Sequence, residues 1–312
     1  MLNKKNFLIT GGTGFIGAGI CKMLLMLGHN VTILDNNSRG KKSRILEIEK
    51  KINFIKGDVR DKKKVFKSLE NIDAVIHLAY INGTKFFYEK PDLILDVAIK
   101  GLVNIFDGCI KYKIKELYLA SSSEVYQTPI KIPTDENESL KIPDVYNPRY
   151  SYGGGKILTE LMGINYGKKF FKKLVIIRPH NVYGPDMGNE HVIPEFINRF
   201  KKLKGKVFKI QGNGFETRSF IYIDDFVRAF KVILQKGKHL QIYNIGTNEK
   251  VTIRTLVKKI SKIFNKSIVI KKTKLLKGST KKRLPDISKI RSLGFKQNIK
   301  LEKGLEFLIN NS

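Results

Sequence analysis

A tyrosine and a lysine four residues apart, Tyr152 and Lys156, are the pair in this chain best suited to moving a proton. Four residues are about one turn of an α-helix, so both side chains lie on one helix face. A tyrosine hydroxyl with an ordinary pKa near ~10 is a poor base at neutral pH. Because a neighbouring ammonium stabilises the phenolate, the pair predicts proton removal from a hydroxyl group.

A run of hydroxyl and carboxylate side chains follows the apolar segment 117–121. Because the run begins where that predicted strand ends, the Ser122 hydroxyl can hydrogen-bond an alcohol or ketone and relay its proton. The alternative is a plain polar turn.

A glycine-rich turn, residues 11–17, joins an apolar run to a segment with helical apolar spacing. Gly11 permits the tight turn, Gly14 lets backbone N–H groups approach a pyrophosphate at the helix N-terminus, and Gly17 lets helix and strand pack closely. Asp35 ends the next apolar run. Its carboxylate would accept hydrogen bonds from an adenosine ribose and repel a 2′-phosphate, so the pattern favours NAD over NADP.

The predicted cofactor contacts gather around this turn, the ends of the following strands and the Tyr–Lys pair. Asp58, at the end of the third strand, can meet the adenine, and Lys156 can hydrogen-bond the cofactor ribose. The predicted contacts are Gly11, Thr13, Gly14, Phe15, Ile16, Gly17, Asp35, Asn36, Asp58, Val59, Leu78, Ala79, Tyr80, Tyr152 and Lys156. A glycine turn with no ligand is the alternative, although the strand before and the helix after are the context that the fingerprint requires.

Alternating strands and helices must position these groups. The predicted strands are 6–10, 31–35, 53–55, 74–79, 117–121 and 174–178, with helices at 14–28, 41–50, after Pro91, and at 152–169. This alternation predicts an α/β fold, a Rossmann-type doubly wound parallel sheet with right-handed crossovers. We expect residues 1–178 to form an NAD-binding domain, with 221–245 returning to it, and 179–312 to form a smaller C-terminal α/β substrate domain.

The chain has 312 residues and a formal net charge of +31. The lysines are spread over nearly every predicted helix, and no recognition module accompanies them, so we expect no nucleic-acid partner. The positive field should instead attract anionic substrates and make their capture salt-dependent.

Signals for membranes, export and metals are weak. No stretch reaches the ~20 apolar residues of a membrane span, so we expect no membrane insertion. The first strand begins close to the amino terminus, which predicts no signal peptide. Cys21 and Cys109 lie in helical, mostly apolar surroundings. This placement predicts buried thiols in a reducing cytoplasm and no metal site.

Several motifs follow one another along essentially the whole chain. They are residues 11–17, Asp35, His77-Leu78-Ala79, Ser122 with Val125-Tyr126, Tyr152 with Lys156, and the segments 178–185, 218–225, 243–246 and 286–289. In these features the chain resembles the extended short-chain dehydrogenase/reductase family, in its nucleotide-sugar epimerase and dehydratase group. The resemblance implies an NAD-dependent enzyme that acts on a nucleotide-diphosphate sugar.

The resemblance also implies roles for particular parts of the chain. Hydride leaves the sugar C4 for NAD while Tyr152 removes the proton of the C4 hydroxyl. Residues 179–312 bind the nucleotide sugar, with arginines on the diphosphate because their fork matches phosphate oxygens. The implied diphosphate contacts are Asn181 and Arg218, with Arg283 as a weaker candidate. His180, in a loop at a strand end, is a candidate sugar contact, and a packing role is its alternative.

The family usually forms homodimers through a four-helix bundle. The helices near 93–112 and 152–169 are the candidates here, although their apolar stripes could equally face the core of their own chain. The resemblance also implies a context in polysaccharide biosynthesis.

The step after C4 oxidation separates the subclasses. Glu124 stands where dehydratases, and some sugar-acid decarboxylases, carry a catalytic glutamate, and Ser123 stands where many dehydratases carry aspartate. This slightly favours a 4,6-dehydratase over a 4-epimerase. The alternative is that Glu124 only caps or orients the loop. A net oxidoreductase, a reductase or 4-oxidase with exchangeable NAD(P), is the other alternative. Tyr80, where the family often has a small residue, and Ala98, in place of a common asparagine, depart from the family pattern.

Overall fold

A seven-stranded parallel sheet organises the chain, which a computed structural model describes over residues 3–275 and 278–310. In chain order the strands are β1 (Asn6–Thr10), β2 (Asn30–Asp35), β3 (Ile52–Lys56), β4 (Ala74–His77), β5 (Glu116–Ala120), β6 (Lys173–Pro179), β7 (Val182–Tyr183), β8 (Val207–Gln211), β9 (Thr217–Arg218), β10 (Ile221–Tyr222), β11 (Gln241–Ile245), β12 (Val251–Thr252) and β13 (Val269–Thr273). The sheet runs β3-β2-β1-β4-β5-β6-β11, so the strand order reverses between β1 and β4. Sheets of this kind bind ligands at that reversal, beyond the carboxyl ends of the strands. The predicted α/β fold is confirmed.

Helices cover both faces of the sheet. They are α1 (Phe15–Met26), α2 (Lys62–Ser68), α3 (Thr84–Glu89), α4 (Pro91–Lys111), α5 (Tyr150–Phe170), α6 (Val192–Lys201), α7 (Ile223–Lys236), α8 (Ile253–Ile263), α9 (Ser288–Ser292) and α10 (Leu301–Asn310), with 3-10 helices at Lys42–Lys51 and Ser123–Val125. The segment 41–50, predicted as an α-helix, is the first of these 3-10 helices. Only Arg44 and Ile45 are buried in it, so little packing supports a regular α-helix there.

Two cores flank the sheet, which is why its central strands are apolar on both sides. On one face α1 and α7 pack Leu24 and Phe230 against it. On the other face α4 contributes Leu102 and Phe106, beside α5. The two long helices α4 and α5 lie against each other, and α5 also contacts β5. These contacts position the residues at the start of α5.

A third core lies among α6, α8, α10 and β8, with Phe200, Phe208 and Leu256 buried in it. After contributing to this core, the chain returns to the main sheet. There β11 pairs with β6, and α7 packs on α1. The boundary predicted at residues 178 and 179 stays a prediction.

Within the ranges that the structure describes, no helix has both the length and the apolar character needed to cross a membrane. In the same ranges, no three histidine, cysteine, aspartate or glutamate side chains come together as metal ligands.

Candidate active site

The turn between β1 and α1 is built so that backbone lies against backbone. Gly11 has a φ of +74°, and a Cβ there would come within 2.8 Å of the Ala79 backbone nitrogen. A Cβ on Gly17 would lie 2.2 Å from the Gly11 carbonyl oxygen. At Gly14, α1 begins without a side-chain cap, which leaves N–H groups of its first turn for an anion. The turn therefore fits the pyrophosphate of a dinucleotide.

Asp35 ties this turn to the loop after β2. Its Oδ2 accepts a hydrogen bond from the Thr13 N–H (3.0 Å), and its Oδ1 accepts one from the Asn37 N–H (2.8 Å). The carboxylate is buried, so it lies at a fixed place beside the glycine turn. These contacts suit a carboxylate that reads the ribose of an adenosine.

We expect Asp35→Ala to weaken NAD binding about 10- to 100-fold, because hydrogen bonds to a charged group are worth ~1.5–3 kcal/mol. Discrimination against NADP should fall as well, since the charge that repels a 2′-phosphate is gone. Calorimetric titration with NAD and with NADP measures both effects. Asp35→Asn keeps a carbonyl oxygen without the charge and is the control. An unchanged NAD-to-NADP ratio in Asp35→Ala would show that another residue reads the ribose.

The next strand end carries a second acidic group. Asp58 accepts a hydrogen bond from Asn36 Nδ2 (2.8 Å) and pairs with Arg60 (3.0 Å), whose hydrogen bonds lower the pKa of the carboxyl. The Val59 carbonyl accepts a hydrogen bond from Asn104 (2.9 Å), which fixes this strand end to α4. The predicted adenine contacts therefore form one ordered edge beside Asp35.

Tyr152 and Lys156 lie in the first two turns of α5, at the carboxyl end of β5. The Lys156 Nζ donates a hydrogen bond to the Ala120 carbonyl (2.7 Å), and burial lowers the pKa of the ammonium to about 7. Burial also raises the pKa of Tyr152 above its ordinary value, while a hydrogen bond with Ser122 lowers it. Tyrosine, serine and lysine are thus brought to one place, as the spacing predicts.

Glu124 lies in the middle of an arginine cluster. Its carboxylate accepts a hydrogen bond from Arg283 Nη1 (2.8 Å) and lies 3.6 Å from Arg149 Nη2. Burial alone would raise the pKa of Glu124, but the two arginines outweigh it and lower that pKa to about 2. Arg218 faces the same group, and its pKa falls to about 10 because of burial and of Arg283 beside it. Glu216 also acts on Arg218, and two carboxylates among three guanidinium groups still leave a surplus of positive charge.

A cavity of about 530 Å³ joins these groups. The predicted site residues that line it are Gly11, Gly14, Phe15, Ile16, Gly17, Leu78, Tyr80, Ser122, Ser123, Glu124, Tyr152, Lys156, Asn181, Arg218 and Arg283. The adenosine-side residues Thr13, Asp35, Asn36, Asp58, Val59 and Ala79 lie outside that lining. Asn181 donates a hydrogen bond to the Ser219 carbonyl (2.8 Å).

His180 does not reach the cavity wall. It is fully buried, its Nε2 lies 3.2 Å from Asn244 Oδ1, and burial lowers its pKa to about 3. Its position gives no support to the predicted sugar contact. Arg149, in contrast, lines the cavity and was not among the predicted residues. Its place three residues before Tyr152, at the start of α5, is the sequence signal that could have indicated it.

Comparisons with known proteins agree with this geometry. The sequence model of the NAD dependent epimerase/dehydratase family matches residues 7–246. A dTDP-D-glucose 4,6-dehydratase of Dictyostelium discoideum is 32% identical over 272 residues, which is 83% of this chain and 62% of that protein. A UDP-N-acetyl-alpha-D-glucosaminuronate decarboxylase of Bacillus cytotoxicus is 32% identical over 315 residues, 97% of this chain and 96% of that protein.

The solved structure of a UDP-glucose 4-epimerase from Thermotoga maritima, with UDP-glucose, has a TM-score of 0.88 and 28% identity, over 98% of this chain and 97% of that one. These matches confirm the resemblance, the Rossmann-type fold, NAD as the cofactor, and the class of enzyme. The relatives differ in the reaction that each catalyses. The chain belongs to the NAD-dependent epimerase/dehydratase family.

Proposed function

We propose that this chain transforms a nucleotide-diphosphate sugar by transient oxidation at sugar C4, with 4,6-dehydration as its slightly favoured reaction. The observation that carries the proposal is the shared cavity. Tyr152, Lys156 and Ser122 line it together with the glycine turn. The three arginines of the positively charged cluster line the same cavity.

The proton at the C4 hydroxyl is handled by chain residues alone. Burial raises the pKa of Tyr152, so the phenolate that takes this proton needs positive charge beside it. The Lys156 ammonium, held against the Ala120 carbonyl, supplies one such charge, and the oxidised nicotinamide would supply another. Ser122 orients the hydroxyl and relays the proton. NAD, which the glycine turn, Asp35 and Lys156 would hold, would supply hydride-accepting and hydride-donating chemistry. Burial of the pair excludes water, which strengthens each electrostatic interaction.

The arginine cluster is suited to the diphosphate. Arg218 is half-buried beside the buried Arg283, and Arg149 approaches from the start of α5. A dianionic diphosphate would offset the surplus charge and accept bidentate hydrogen bonds. We propose that Asn181, which also lines the cavity, is a neutral contact of the nucleotide diphosphate.

Glu124 supports the 4,6-dehydratase. It is an ionised, half-buried carboxylate near Ser122 and Tyr152, so it can accept the C5 proton of a 4-keto sugar. A diphosphate would compete for Arg283 and Arg149, and its arrival would raise the pKa of Glu124 toward the range of an effective base. The C6 oxygen then leaves as water with one further proton, which the protonated Glu124 or the Ser123 hydroxyl can supply. The hydride removed from C4 ends on C6, and a solvent proton ends on C5.

A second candidate function is 4-epimerisation, and the pairing of Glu124 with its two arginines favours it. With both arginines on it, Glu124 has a pKa of about 2 and is a weak base. Dehydration also needs an acid that protonates the leaving C6 oxygen, and a serine hydroxyl such as that of Ser123 is a weak acid. An epimerase needs neither group, because hydride returns to C4 from the other face.

Proton NMR in D2O, with a panel of UDP, dTDP, GDP and CDP sugars, distinguishes these reactions. We expect a new C6 methyl signal with deuterium at C5. Glu124→Gln should slow that signal at least about 100-fold, since an acid–base group contributes ~10²–10⁴. Glu70→Gln, at an exposed surface position, is the matched control. A new anomeric signal with C6 intact would establish the epimerase, and methyl formation at the full rate in Glu124→Gln would remove Glu124 from the mechanism.

We propose a homodimer formed through α4 and α5. Leu95, Ile99 and Val103 repeat every four residues along α4 and are 37–44% exposed, and Leu161 on α5 is 57% exposed. An apolar stripe of this kind, beside a second helix, suits a four-helix bundle with a second copy.

We expect light scattering to give twice the chain mass of 35.7 kDa, and Ile99→Asp to give the single-chain mass, because a charge would be buried in the bundle. Leu46→Asp changes an exposed apolar residue away from both helices and is the control. A wild-type monomer, or an Ile99→Asp dimer, would contradict the bundle.

We further propose a cytoplasmic location and a context in polysaccharide biosynthesis. The location is supported by Cys21 and Cys109, which are both buried free thiols, as is typical of proteins in reducing compartments.

A further inference from the structure

An aromatic ring covers the lysine of the proton-handling pair. The Tyr80 ring centroid lies 3.6 Å from the Lys156 Nζ, and the same ring meets the Tyr152 ring edge-on at 5.2 Å. The ammonium is buried, and a ring face attracts a desolvated cation by up to ~2 kcal/mol. Tyr80 therefore touches both members of the pair.

The far end of Tyr80 lies in a notch between α4 and α5. Its hydroxyl is buried and has no hydrogen-bond partner among the described residues. A Cβ on Gly155 would lie 2.1 Å from that hydroxyl and 2.9 Å from the Ala98 Cβ. A glycine and an alanine thus make the room that the tyrosine occupies. The position of the ring over Lys156 depends on the missing Cβ at Gly155.

We propose that Tyr80 is a positioning residue that holds the Lys156 ammonium through its ring face, and that Gly155 is required to admit it. The functional part of this inference rests on the role proposed for Lys156. Besides Tyr80 and Tyr152, the groups that act on the ammonium are the Ala120 carbonyl, His77 and Glu160. His77 is neutral, because burial lowers its pKa to about 3, and Glu160 favours the ammonium.

The test measures Lys156 itself, so it needs neither substrate nor turnover and can fail independently of the proposed reaction. The purified full chain, with its nucleotide content matched between variants, is labelled with trace acetic anhydride from pH 5 to 10. Mass spectrometry then gives the pH midpoint of labelling at Lys156, with the surface lysines as internal references.

In Tyr80→Leu the midpoint should fall by about one pH unit, because the ring no longer stabilises the ammonium while the apolar bulk remains. Tyr80→Phe keeps the ring and should keep the wild-type midpoint. A role in packing alone would lower the unfolding temperature without moving this midpoint. A wild-type midpoint in Tyr80→Leu, or an equal fall in Tyr80→Phe, would overturn the proposal.

The notch is tested by suppression. Gly155→Ala should displace the ring and lower the midpoint as Tyr80→Leu does. Combining it with Tyr80→Phe and Ala98→Gly should restore the midpoint, because both atoms closer than 3.0 Å are then removed and the nearest remaining ring atom lies 3.4 Å from the added Cβ. Gly154→Ala is the matched control, since its Cβ meets only the end of Ile142 at 3.3 Å. A normal midpoint in Gly155→Ala, or no restoration in the triple variant, would overturn the part assigned to Gly155.

Discussion

Tyr152→Phe is expected to lower kcat by about 10²–10⁴-fold, the usual contribution of a positioned acid–base group. The ring stays in place, because it stacks on Phe87 with 4.7 Å between centroids, and only the hydroxyl is lost. That hydroxyl is the atom that would take the C4 proton, so the loss should fall on kcat while NAD still binds. Turnover of the nucleotide sugar and NAD titration measure the two quantities.

Tyr150→Phe is the control for this change. It removes a hydroxyl from the same first turn of α5, from a side chain that does not line the cavity. We expect its turnover to stay near the wild-type value. Near-normal turnover in Tyr152→Phe would contradict the assignment of the base.

Glu160→Ala is expected to lower the free energy of unfolding by about 3–5 kcal/mol, because it leaves a buried guanidinium without its charge partner. Arg178 and Glu160 are 2% and 5% exposed and are joined by two hydrogen bonds, 2.8 and 2.6 Å long. The same arginine donates to the Tyr126 hydroxyl (2.6 Å), and Glu160 accepts from Ser121. The pair thus supports the loop that carries Ser122 and Glu124.

Urea unfolding measures this effect, with Glu89→Gln as the control. Glu89 lies 3.7 Å from Lys85 in an exposed pair, whose loss should cost less than about 1 kcal/mol. A cost below ~1 kcal/mol for Glu160→Ala as well would show that the buried pair does not hold this loop.

Short sequence patterns predict those parts of the fold and of the site that depend on local structure. The strand–glycine–helix turn, Asp35 and the Tyr–Lys spacing are local, because strands and helices fix side-chain direction within a few residues. Their agreement with the structure is a consequence of that geometry. The 3-10 helix at Lys42–Lys51 could not be predicted, because its basic sequence carries helical spacing without the packing that would favour an α-helix.

The rest depends on contacts between distant parts of the chain. Glu124 and Arg283 are 159 residues apart in sequence, and nothing near either one indicates that they pair. His180 comes directly after a strand end, as site residues often do, yet its side chain turns inward to Asn244. Tyr80 and Ala98 appear in the sequence as separate departures from the family pattern. Only the fold shows that both lie beside Gly155.

The most direct test of C4 oxidation tracks the hydrogen at that carbon. A nucleotide sugar with deuterium at C4 is incubated with the purified chain without added NAD, and the product is analysed by NMR together with absorbance at the nicotinamide band. We predict that the deuterium remains on the sugar, at C6 after dehydration or at C4 after epimerisation, with no net absorbance change. Deuterium that accumulates in reduced nicotinamide, in step with rising absorbance, would contradict transient oxidation and establish a net oxidoreductase.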